Sequence, residues 1–425
     1  MSIAFGIDFG TTNSVLAVLQ DGSVEIVDID PLSVSKRTLK SVLFFDEEGG
    51  INIGQEAIDQ YVGYGASYGR FMQSIKTFLP SKNFTETYVF GKRYELEDLI
   101  ALILKAVKHR GELHVGHVVD TVVMGRPVLF SEDRELDLLA EERLRTAALR
   151  AGFTNVHFMY EPIAATLAYE SSLQAGEEKL ALMGDFGGGT SDFVVMRLRG
   201  GKHNPKEDRK EDILSIGGVY IAGDAFDASI MWHKLAKHFS RGAKIHGSSG
   251  SQILEAPLWI PQTLCQRHMI PQLRDRKTLR IIRDLHGVSD EDRRVIENLR
   301  VLIIENLGYM LFRTIEKAKR ELSDSEAAVI EFSERGIVIR EEITRAEFET
   351  AADDKFQQIG ACVDGTLLRA GASPEDIDLV LLTGGSSFIP KIRAIFADKF
   401  GDSKLMPIDS FTSVAYGLGL SAAQY

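Results

Sequence analysis

The fold is decided by a short stretch near the N-terminus, Phe5-Gly6-Ile7-Asp8-Phe9-Gly10-Thr11-Thr12-Asn13-Ser14. Apolar residues at 3–7 predict a strand, residues 14–19 predict a second, and Asp21-Gly22 is typical of a hairpin turn into a third strand at 24–29. A tight polar loop rich in glycine and threonine separates the first two strands. The chain therefore begins as a β-meander with an aspartate near the end of its first strand.

The same pattern returns near the middle of the chain. Residues 179–183 are apolar, the turn Asp185-Phe186-Gly187-Gly188-Gly189-Thr190-Ser191-Asp192 follows, and residues 193–198 are again apolar. A unit of strand, Asp-x-Gly turn and strand that occurs twice is typical of a duplicated, two-lobed α/β protein.

Helical patterns follow both meanders. Residues 135–150 are apolar at helical spacing and stop before Gly152, and Glu161-Pro162 opens another helix with Leu173 on its buried face. Residues 298–322 step by three or four throughout, which predicts one long amphipathic helix.

The remaining segments are less regular, apart from those nearest the C-terminus. Residues 379–382 predict a buried strand and residues 390–400 a helix. Residues 199–212 predict a charged, solvated hairpin tip. Residues 242–292 show no regular pattern and are interpreted as an insertion on a helical region.

Composition limits the function classes. The chain has 425 residues with 49 Lys and Arg against 61 Asp and Glu, so its net charge of −12 disfavours nucleic acid as a partner. Cys265 and Cys362 cannot build a disulfide framework, and neither a signal peptide nor a membrane-spanning apolar stretch is visible. We therefore expect a cytoplasmic protein with neither a membrane nor a nucleic acid among its partners.

Both glycine-rich turns have the residue types that a phosphate-binding loop requires. Glycines let the backbone approach phosphate oxygens closely, small hydroxyl side chains donate to them, and nearby carboxylates hold Mg²⁺ through water. Each turn follows an aspartate, Asp8 or Asp185, at the carboxyl end of a strand, where open α/β sheets bind ligands. A third Gly-Gly-Ser turn at 384–386 makes a nucleotide site a stronger hypothesis than one turn alone would.

Two familiar nucleotide-binding classes are excluded by missing motifs. Asp-Phe-Gly occurs twice, but no His-Arg-Asp catalytic loop accompanies it, so the chain is not a protein kinase. The sequence G-x-x-x-x-G-K-[ST] is absent as well, so the turns are not P-loops.

One predicted helix face has the residues that an adenosine site uses. Glu316, Lys319, Arg320 and Ser323 are spaced i, i+3, i+4 and i+7, which gathers them opposite the apolar stripe. A carboxylate suits ribose hydroxyls, and the stems of Lys and Arg can flank a base while their charged heads stay polar. Viewed alone, the same spacing is typical of an ordinary solvated face.

Taken in order, five motifs resemble the signatures of the heat-shock protein 70 (DnaK-type) chaperones, a family within the actin and hexokinase superfamily of ATPases. These motifs are residues 5–14, Tyr160-Glu161-Pro162-Ile163-Ala164-Ala165, residues 185–192, Glu316-Lys317-Ala318-Lys319-Arg320-Glu321-Leu322-Ser323, and Leu382-Thr383-Gly384-Gly385-Ser386 with Val414-Ala415-Tyr416-Gly417. The match spans nearly the whole chain.

The resemblance implies an α/β, two-lobed actin-like ATPase fold, a ribonuclease H-like duplication with mixed five-stranded sheets flanked by helices. The two lobes would face each other across a nucleotide cleft. The implied boundaries are lobe I at 1–177 (core 1–35 and 116–177, inserted subdomain 36–115), lobe II at 178–404 (core 178–222 and 346–404, helical subdomain 223–345) and a C-terminal segment, 405–425, that returns to lobe I.

The resemblance also assigns roles to individual residues. The implied catalytic residues are Lys76, Glu161, Asp185 and Thr190, with Lys76 reaching the γ-phosphate and the attacking water. Asp8, Asp185 and Asp192 would surround Mg²⁺ through water, K⁺ is a further candidate cation, and Pro127 would link the nucleotide state to the lobes. The residues implied to hold ATP or ADP are Gly10, Thr11, Thr12, Asn13, Gly187, Gly188, Gly189, Gly223, Glu316, Lys319, Arg320, Ser323, Gly384, Gly385, Ser386 and Phe388.

Several features depart from the family pattern. Phe388 stands where the family usually has an arginine, and Phe411 stands where it has an acidic residue. We expect no interdomain linker or peptide-binding domain after Tyr425, and the 242–292 insertion is also unusual. Together these features resemble the short, YegD-type branch of the family.

The leading hypothesis is a Mg²⁺-dependent ATPase that hydrolyses ATP slowly to ADP and phosphate and signals its nucleotide state to a protein partner or co-chaperone. Three alternatives stay open: an actin-like filament-forming ATPase, a nucleotide sensor without turnover, and a small-molecule kinase. The sequence does not specify the client, the partner or the oligomeric state.

Overall fold

The computed structural model describes residues 3–64, 69–201, 209–247, 252–409 and 412–425. The strands in chain order are β1 (Ile3–Phe9), β2 (Asn13–Gln20), β3 (Ser23–Ile26), β4 (Leu39–Lys40), β5 (Leu43–Asp46), β6 (Ile51–Ile53), β7 (Gly69–Met72), β8 (Glu86–Val89), β9 (Lys92–Glu95), β10 (Thr121–Arg126), β11 (Asn155–Tyr160), β12 (Glu178–Phe186), β13 (Ser191–Arg199), β14 (Ile213–Val219), β15 (Lys244–His246), β16 (Ile253–Glu255), β17 (Ala327–Glu334), β18 (Ile337–Thr344), β19 (Leu379–Thr383) and β20 (Leu405–Pro407). The α-helices are α1 (Gln55–Tyr64), α2 (Leu96–Val115), α3 (Arg134–Arg150), α4 (Glu161–Glu170), α5 (Gly223–Ile230), α6 (Trp259–Leu264), α7 (Arg276–Arg283), α8 (Asp290–Ile304), α9 (Gly308–Asp324), α10 (Arg345–Ala351), α11 (Asp353–Ala370), α12 (Pro390–Phe400) and α13 (Ser413–Ser421).

The first meander forms one side of a mixed sheet. Its strand order is β11-β10-β1-β2-β3, with β4 also paired to β2. The meander strands β1, β2 and β3 are antiparallel, whereas β10 and β11 run parallel to β1. Asp21 and Gly22 both have positive φ, 51° and 82°, as the predicted hairpin turn between β2 and β3 requires.

The second meander builds a sheet of the same design. Its order is β14-β13-β12-β19-β20, in which β12, β13 and β14 are antiparallel and β19 and β20 run parallel to β12. The duplicated α/β architecture predicted from the repeated motif is confirmed, as are the mixed five-stranded sheet paths that the family resemblance implies.

The chain divides into two compact units. The first contains both mixed sheets and comprises Met1–Gly63, Gly69–Ala222 and Gln357–Tyr425. The second consists mainly of Gly223–Phe356 and has its own core, in which the rings of Phe226, Phe348 and Phe356 pack together. The predicted lobe and subdomain boundaries stay predictions.

The C-terminal segment contributes to both sheets of the first unit. Strand β20 extends the second sheet beside β19. Helix α13 then packs against β1 and α4. A side-chain carbon at Gly417 would overlap the carbonyl of Ala164, so this close packing of α13 on α4 requires glycine.

The predicted long helix at 298–322 is wrong in its continuity. Helix α8 ends at Ile304 and α9 begins at Gly308, because Asn306 between them adopts a left-handed conformation with φ of 52°. Asparagine tolerates this conformation better than most residues do. Ile304, the last residue of α8, has an exposed side chain.

Two further predictions are corrected. The 242–292 region is not irregular throughout, since it contains the β15–β16 hairpin and helices α6 and α7. Leu173 lies beyond the end of α4 and is only half-buried, because this helix stops at Glu170.

The charged loop is also not simply solvated. Arg209 and Asp212 are buried in an ion-pair network with Glu170 of α4. Residues 202–208 of this loop, residues 248–251 of the insertion and Phe411 lie outside the described residues. None of the described helices is long and apolar enough to cross a membrane.

Candidate functional site

Both glycine-rich turns are closed by the same backbone hydrogen bond. In the first turn, the N–H of Gly10 donates to the carbonyl of Asn13 at 2.9 Å. In the second, the N–H of Gly187 donates to the carbonyl of Thr190 at 3.0 Å. The repeated sequence motif is therefore also a repeated backbone geometry.

The tips of these two hairpins lie next to each other in the first unit. A Cβ atom built on Gly188 would lie 3.1 Å from Oγ1 of Thr12 and 3.3 Å from Cβ of Thr11. Any larger side chain at position 188 would enter the space between the tips. The two loops predicted to bind phosphates thus form one cradle of backbone and hydroxyl groups.

Two aspartates flank the second turn on neighbouring strands. Asp185 on β12 is paired in register with Asp192 on β13. Asp192 accepts a hydrogen bond from the N–H of Val128 at 2.9 Å and another from the hydroxyl of Thr190 at 2.7 Å. Asp192 therefore connects the second turn with the residue that follows Pro127, at the end of β10.

Burial changes the acidity of the carboxylates around the cradle. Desolvation raises the pKa of Asp8 to about 7 and that of Asp192 to about 7, and it raises the pKa of Asp185 well above its usual range. The charge of Glu161 raises all three pKa values further, whereas the charge of Lys76 lowers them. The site therefore concentrates negative charge that one lysine only partly neutralises.

Lys76 and Glu161 form a buried ion pair beside these aspartates. Nζ of Lys76 lies 2.7 Å from Oε1 of Glu161, and the two side chains are only 8% and 12% exposed. Lys76 sits in a 3₁₀ turn, Ile75–Phe78, whose preceding residue Ser74 has a φ of 53°. Glu161 is the first residue of α4, where the helix dipole favours a carboxylate.

The third glycine turn follows β19 in the second sheet. Gly384 has a φ of 83°, and a side chain there would overlap the carbonyl of Phe186. The residues after it form a 3₁₀ turn, Gly385–Phe388, in which Ser386 is buried and the ring of Phe388 is half exposed. This turn therefore lies beside the end of the strand that carries Asp185.

The predicted adenosine face belongs to the second unit and is described within it. Lys319 forms an ion pair with Asp227 at 2.8 Å and donates a hydrogen bond to the carbonyl of Gly223 at 3.1 Å. Oε2 of Glu316 lies 3.9 Å from the guanidinium of Arg267. Arg320 is exposed and Ser323 is half-buried. Two of the four side chains are thus held by charged partners, which an ordinary solvated face would not require.

Three charged residues next to these groups had not been assigned a role from the sequence: Arg126, Asp227 and Arg267. Arg126 precedes Pro127 and is buried against α3. The sequence contains a signal for the burial of Arg126, because Asp137 and Glu141 are spaced i, i+4 on the following helix and can pair with one cation. No comparable local signal marks Asp227 or Arg267, because their partners are distant in sequence.

The carboxylates around the cradle do not form a site for direct metal coordination among the described residues. Within the described parts of the chain, no group of three or more His, Cys, Asp or Glu side chains is placed to hold a metal ion directly. Among the same residues, Oδ1 of Asn13 is buried without a hydrogen-bond partner. An unpaired acceptor at the first turn calls for a donor such as water.

Comparisons with known proteins bear on the whole chain. A sequence model of the family described as Hsp70 protein matches residues 4–256 and 307–424. The gap, residues 257–306, overlaps the insertion that departs from the family pattern. The chain is 26% identical to a protein named Chaperone protein DnaK from Thermotoga petrophila, and the alignment covers 98% of this chain and 59% of the relative. It is 25% identical to Chaperone protein DnaK from Thermosipho melanesiensis, with 98% and 58% covered. The chain thus spans less than two thirds of the length of these curated relatives.

Proposed function

The chain belongs to the Hsp70 protein family, with the two-lobed actin-like ATPase fold of that family, and we propose that it binds ATP with Mg²⁺, hydrolyses it slowly to ADP and phosphate, and acts as a nucleotide switch. The observation that carries this proposal is the convergence of the two hairpin tips in the first unit. Thr11 and Thr12 lie beside Gly188, and the charges of the buried Lys76–Glu161 pair act on Asp8 and Asp185, near the ends of β1 and β12.

The residues around the cradle fit a magnesium ion bound through water. Asp8, Asp185 and Asp192 all have raised pKa values because they are buried near other carboxylates, so a divalent cation would lower the cost of keeping them charged. The unpaired Oδ1 of Asn13 would accept a hydrogen bond from a bound water. When bound, Mg²⁺ would supply positive charge that offsets the charge of the phosphates.

The chain's own groups would perform the remaining work. Backbone N–H groups of the two turns and the hydroxyls of Thr11, Thr12 and Thr190 would bind and orient the terminal phosphates. Lys76 would lie near the γ-phosphate and orient the water that attacks it, while Glu161 holds the ammonium in place. The water oxygen would bond to the γ-phosphorus while the bond from that phosphorus to the bridging oxygen breaks. ADP would leave with the bridging oxygen, and the proton lost by the attacking water would pass to the released phosphate. This reaction depends on positioning and charge more than on covalent chemistry.

Residues of the second unit would contact the adenosine. Glu316 would accept hydrogen bonds from ribose hydroxyls, and the stems of Lys319 and Arg320 would lie along the base. The contacts of Lys319 with Asp227 and Gly223 support this role, because they fix the lysine stem. Phe388 would replace an arginine as the residue that stacks on adenine, since an aromatic ring also offers a flat face.

The switch would be read by another protein. The relatives are named chaperones, so we propose that a co-chaperone or client senses the nucleotide state of this chain. A ligand can shift a conformation only by binding its two states differently, so ATP and ADP must have different affinities for those states.

The test is ATP turnover with Mg²⁺ over a range of protein concentrations. A slow rate per molecule that is constant with concentration supports the switch, and Asp185→Asn should abolish it. A concentration threshold followed by a steep rise would instead indicate a filament-forming ATPase. Tight ATP binding without turnover would leave a sensor, and phosphate transfer to an added small-molecule alcohol would indicate a kinase.

A further inference from the structure

Arg126, the last residue of β10, is a buried arginine whose guanidinium is held on all sides. It donates to both oxygens of Asp137, at 2.9 and 2.8 Å, and also pairs with Glu141. Its guanidinium carbon lies 5.1 Å from the ring centre of Phe130 and 5.2 Å from that of Tyr160. Such a combination of two carboxylates and two aromatic faces suits the planar, forked guanidinium and would not suit an ammonium.

Each aromatic neighbour of Arg126 is connected to one member of the Lys76–Glu161 pair. The ring of Phe130 faces Nζ of Lys76, with 5.9 Å from the nitrogen to the ring centre. Asp137 also accepts the N–H of Phe130 at 2.6 Å, so one carboxylate holds both the guanidinium and the backbone beside that ring. Phe130 therefore connects Arg126 with Lys76.

The second aromatic neighbour, Tyr160, connects Arg126 with Glu161. Tyr160 lies directly opposite Arg126 in the parallel register of β10 and β11, and it is the residue before Glu161. It also precedes the first turn of α4, so the position of its backbone sets where that helix begins. Displacing Tyr160 would therefore displace the carboxylate that holds Lys76.

We propose that Arg126 is the positioning residue of the Lys76–Glu161 pair. It fixes Phe130 behind the lysine and Tyr160 before the glutamate, and thereby sets the distance from Nζ of Lys76 to the phosphate cradle. The consequence for catalysis rests on the proposed ATPase function, whereas the positioning itself is a property of the chain without nucleotide.

The competing explanation is that Arg126 only attaches α3 to the sheet. Arg145 on the same helix provides a control for that role. It stacks on Phe158 with 4.7 Å from its guanidinium carbon to the ring centre, donates to the carbonyl of Val156 at 2.7 Å, and pairs with Glu141. Arg145 thus links α3 to β11 with a stacked, paired guanidinium; it shares Glu141 with Arg126, but it stacks on Phe158 and not on Phe130 or Tyr160.

The decisive experiment measures the accessibility of Lys76 in the full chain without nucleotide. The protein is treated with an amine-acylating reagent, and the modification rate of each lysine is followed by mass spectrometry. Lys108 is an internal standard, because it is also 8% exposed, paired with a glutamate (Glu112) and placed over a phenylalanine ring (Phe153). General loosening of the fold would accelerate both lysines together.

We expect Arg126→Met to raise the modification rate of Lys76 about tenfold, as loss of about 1.4 kcal/mol of contact energy would. In Arg126→Met, the modification rate of Lys108 should stay within about twofold of its wild-type value. In Arg145→Met, the rates of Lys76 and Lys108 should both stay close to their wild-type values. Arg126→Lys should restore only part of the protection, because an ammonium cannot contact two carboxylates and two rings at once. An unchanged Lys76 rate, or equal acceleration of Lys76 and Lys108, would overturn the proposal.

ATP turnover separates this proposal from the proposed function. If the wild-type chain hydrolyses ATP, Arg126→Met should lower kcat by about 10- to 100-fold, the effect of a misplacement of about 1 Å, with KM changed by less than about threefold. A wild-type chain without turnover would refute the hydrolytic function and leave the labelling result to decide the role of Arg126. Should Arg126→Met not fold, Phe130→Leu removes the ring that both Arg126 and Lys76 contact. This variant should likewise raise the modification rate of Lys76 but not that of Lys108.

Discussion

The ion-pair network at the end of α4 provides a sharp prediction about stability. Glu170 accepts hydrogen bonds from both terminal nitrogens of Arg209, at 2.9 and 2.8 Å. It also accepts one from the backbone N–H of Arg199, at 2.7 Å. Arg209 also pairs with Asp212, and the side chains of Arg209, Glu170 and Asp212 are all less than a tenth exposed. The perturbation is Glu170→Gln, which keeps the shape but removes the charge.

The magnitude follows from burial and from the number of partners lost. Removing one member of a buried ion pair typically costs about 3–5 kcal/mol, because the remaining charge stays buried without compensation. Arg209 keeps Asp212 as a partner, so we expect the lower end, about 3 kcal/mol. The amide nitrogen of glutamine would also face a guanidinium N–H, and two donors cannot form a hydrogen bond.

The assay is differential scanning calorimetry without nucleotide, with Glu135→Gln as the matched control. Glu135 pairs with Lys82 at 3.3 Å, but the two side chains are 82% and 61% exposed, so its loss should cost less than about 1 kcal/mol. We expect a Tm lower by roughly 5 °C for Glu170→Gln and by less than about 2 °C for the control. Because buried pairs are poorly screened, the larger shift should persist at about 0.5 M salt.

A Tm shift for Glu170→Gln no larger than that of the control would refute this reasoning. So would a shift that disappears in salt, since it would show that water reaches the network. Either result would indicate that residues 209–212 belong to a solvated loop, as the sequence predicts.

Three further predictions concern the nucleotide site. Lys76→Ala should leave ATP affinity within about threefold of wild type but stop hydrolysis, because the lysine orients the attacking water; a lost affinity in calorimetric titration would contradict this role. Gly188→Ala should weaken ATP binding by at least about tenfold, since its methyl group enters the cradle, whereas Gly360→Ala on α11 should not; equal affinities would count against the cradle. Burial raises the pKa of Asp227 from 3.8 to about 6, so the folded chain retains a proton there that the unfolded chain has lost, and the stability present below about pH 4 is lost as the pH rises to about 6. Relative to wild type, Asp227→Asn should therefore gain about 2 kcal/mol between pH 4 and pH 6, which melting curves over that range would detect, and a difference independent of pH would refute the shift.

Much of the fold was predictable because its signals are local. The two meanders were found from alternating apolar runs and from turn residues a few positions away. The bounds of α12, Pro390–Phe400, agree with the prediction because proline begins a helix and glycine follows its end. The similarity of the two glycine turns likewise extends to the hydrogen bonds that close them.

The failures share a different physical origin. The helix breaks at Asn306, which adopts the left-handed conformation. The apolar pattern continues across this residue, so periodicity alone predicts an unbroken helix. The burial of Arg209 depends on Glu170, 39 positions earlier, and one of the two rings against Arg126 comes from Tyr160 on β11. A charged residue can be buried only when its partners are present, and the sequence does not show which partners arrive.

The sequence by itself determined the duplicated meander and the glycine turns, because backbone propensities and turn chemistry act over a few residues. The residues predicted to contact nucleotide came from the resemblance of five sequence motifs to a known family. Only the tertiary structure decided that the two turns lie side by side, that Lys76 pairs with Glu161 and that Arg126 contacts the neighbours of both. Those contacts join segments far apart in the chain, and their geometry is set by the packing of strands and helices on one another.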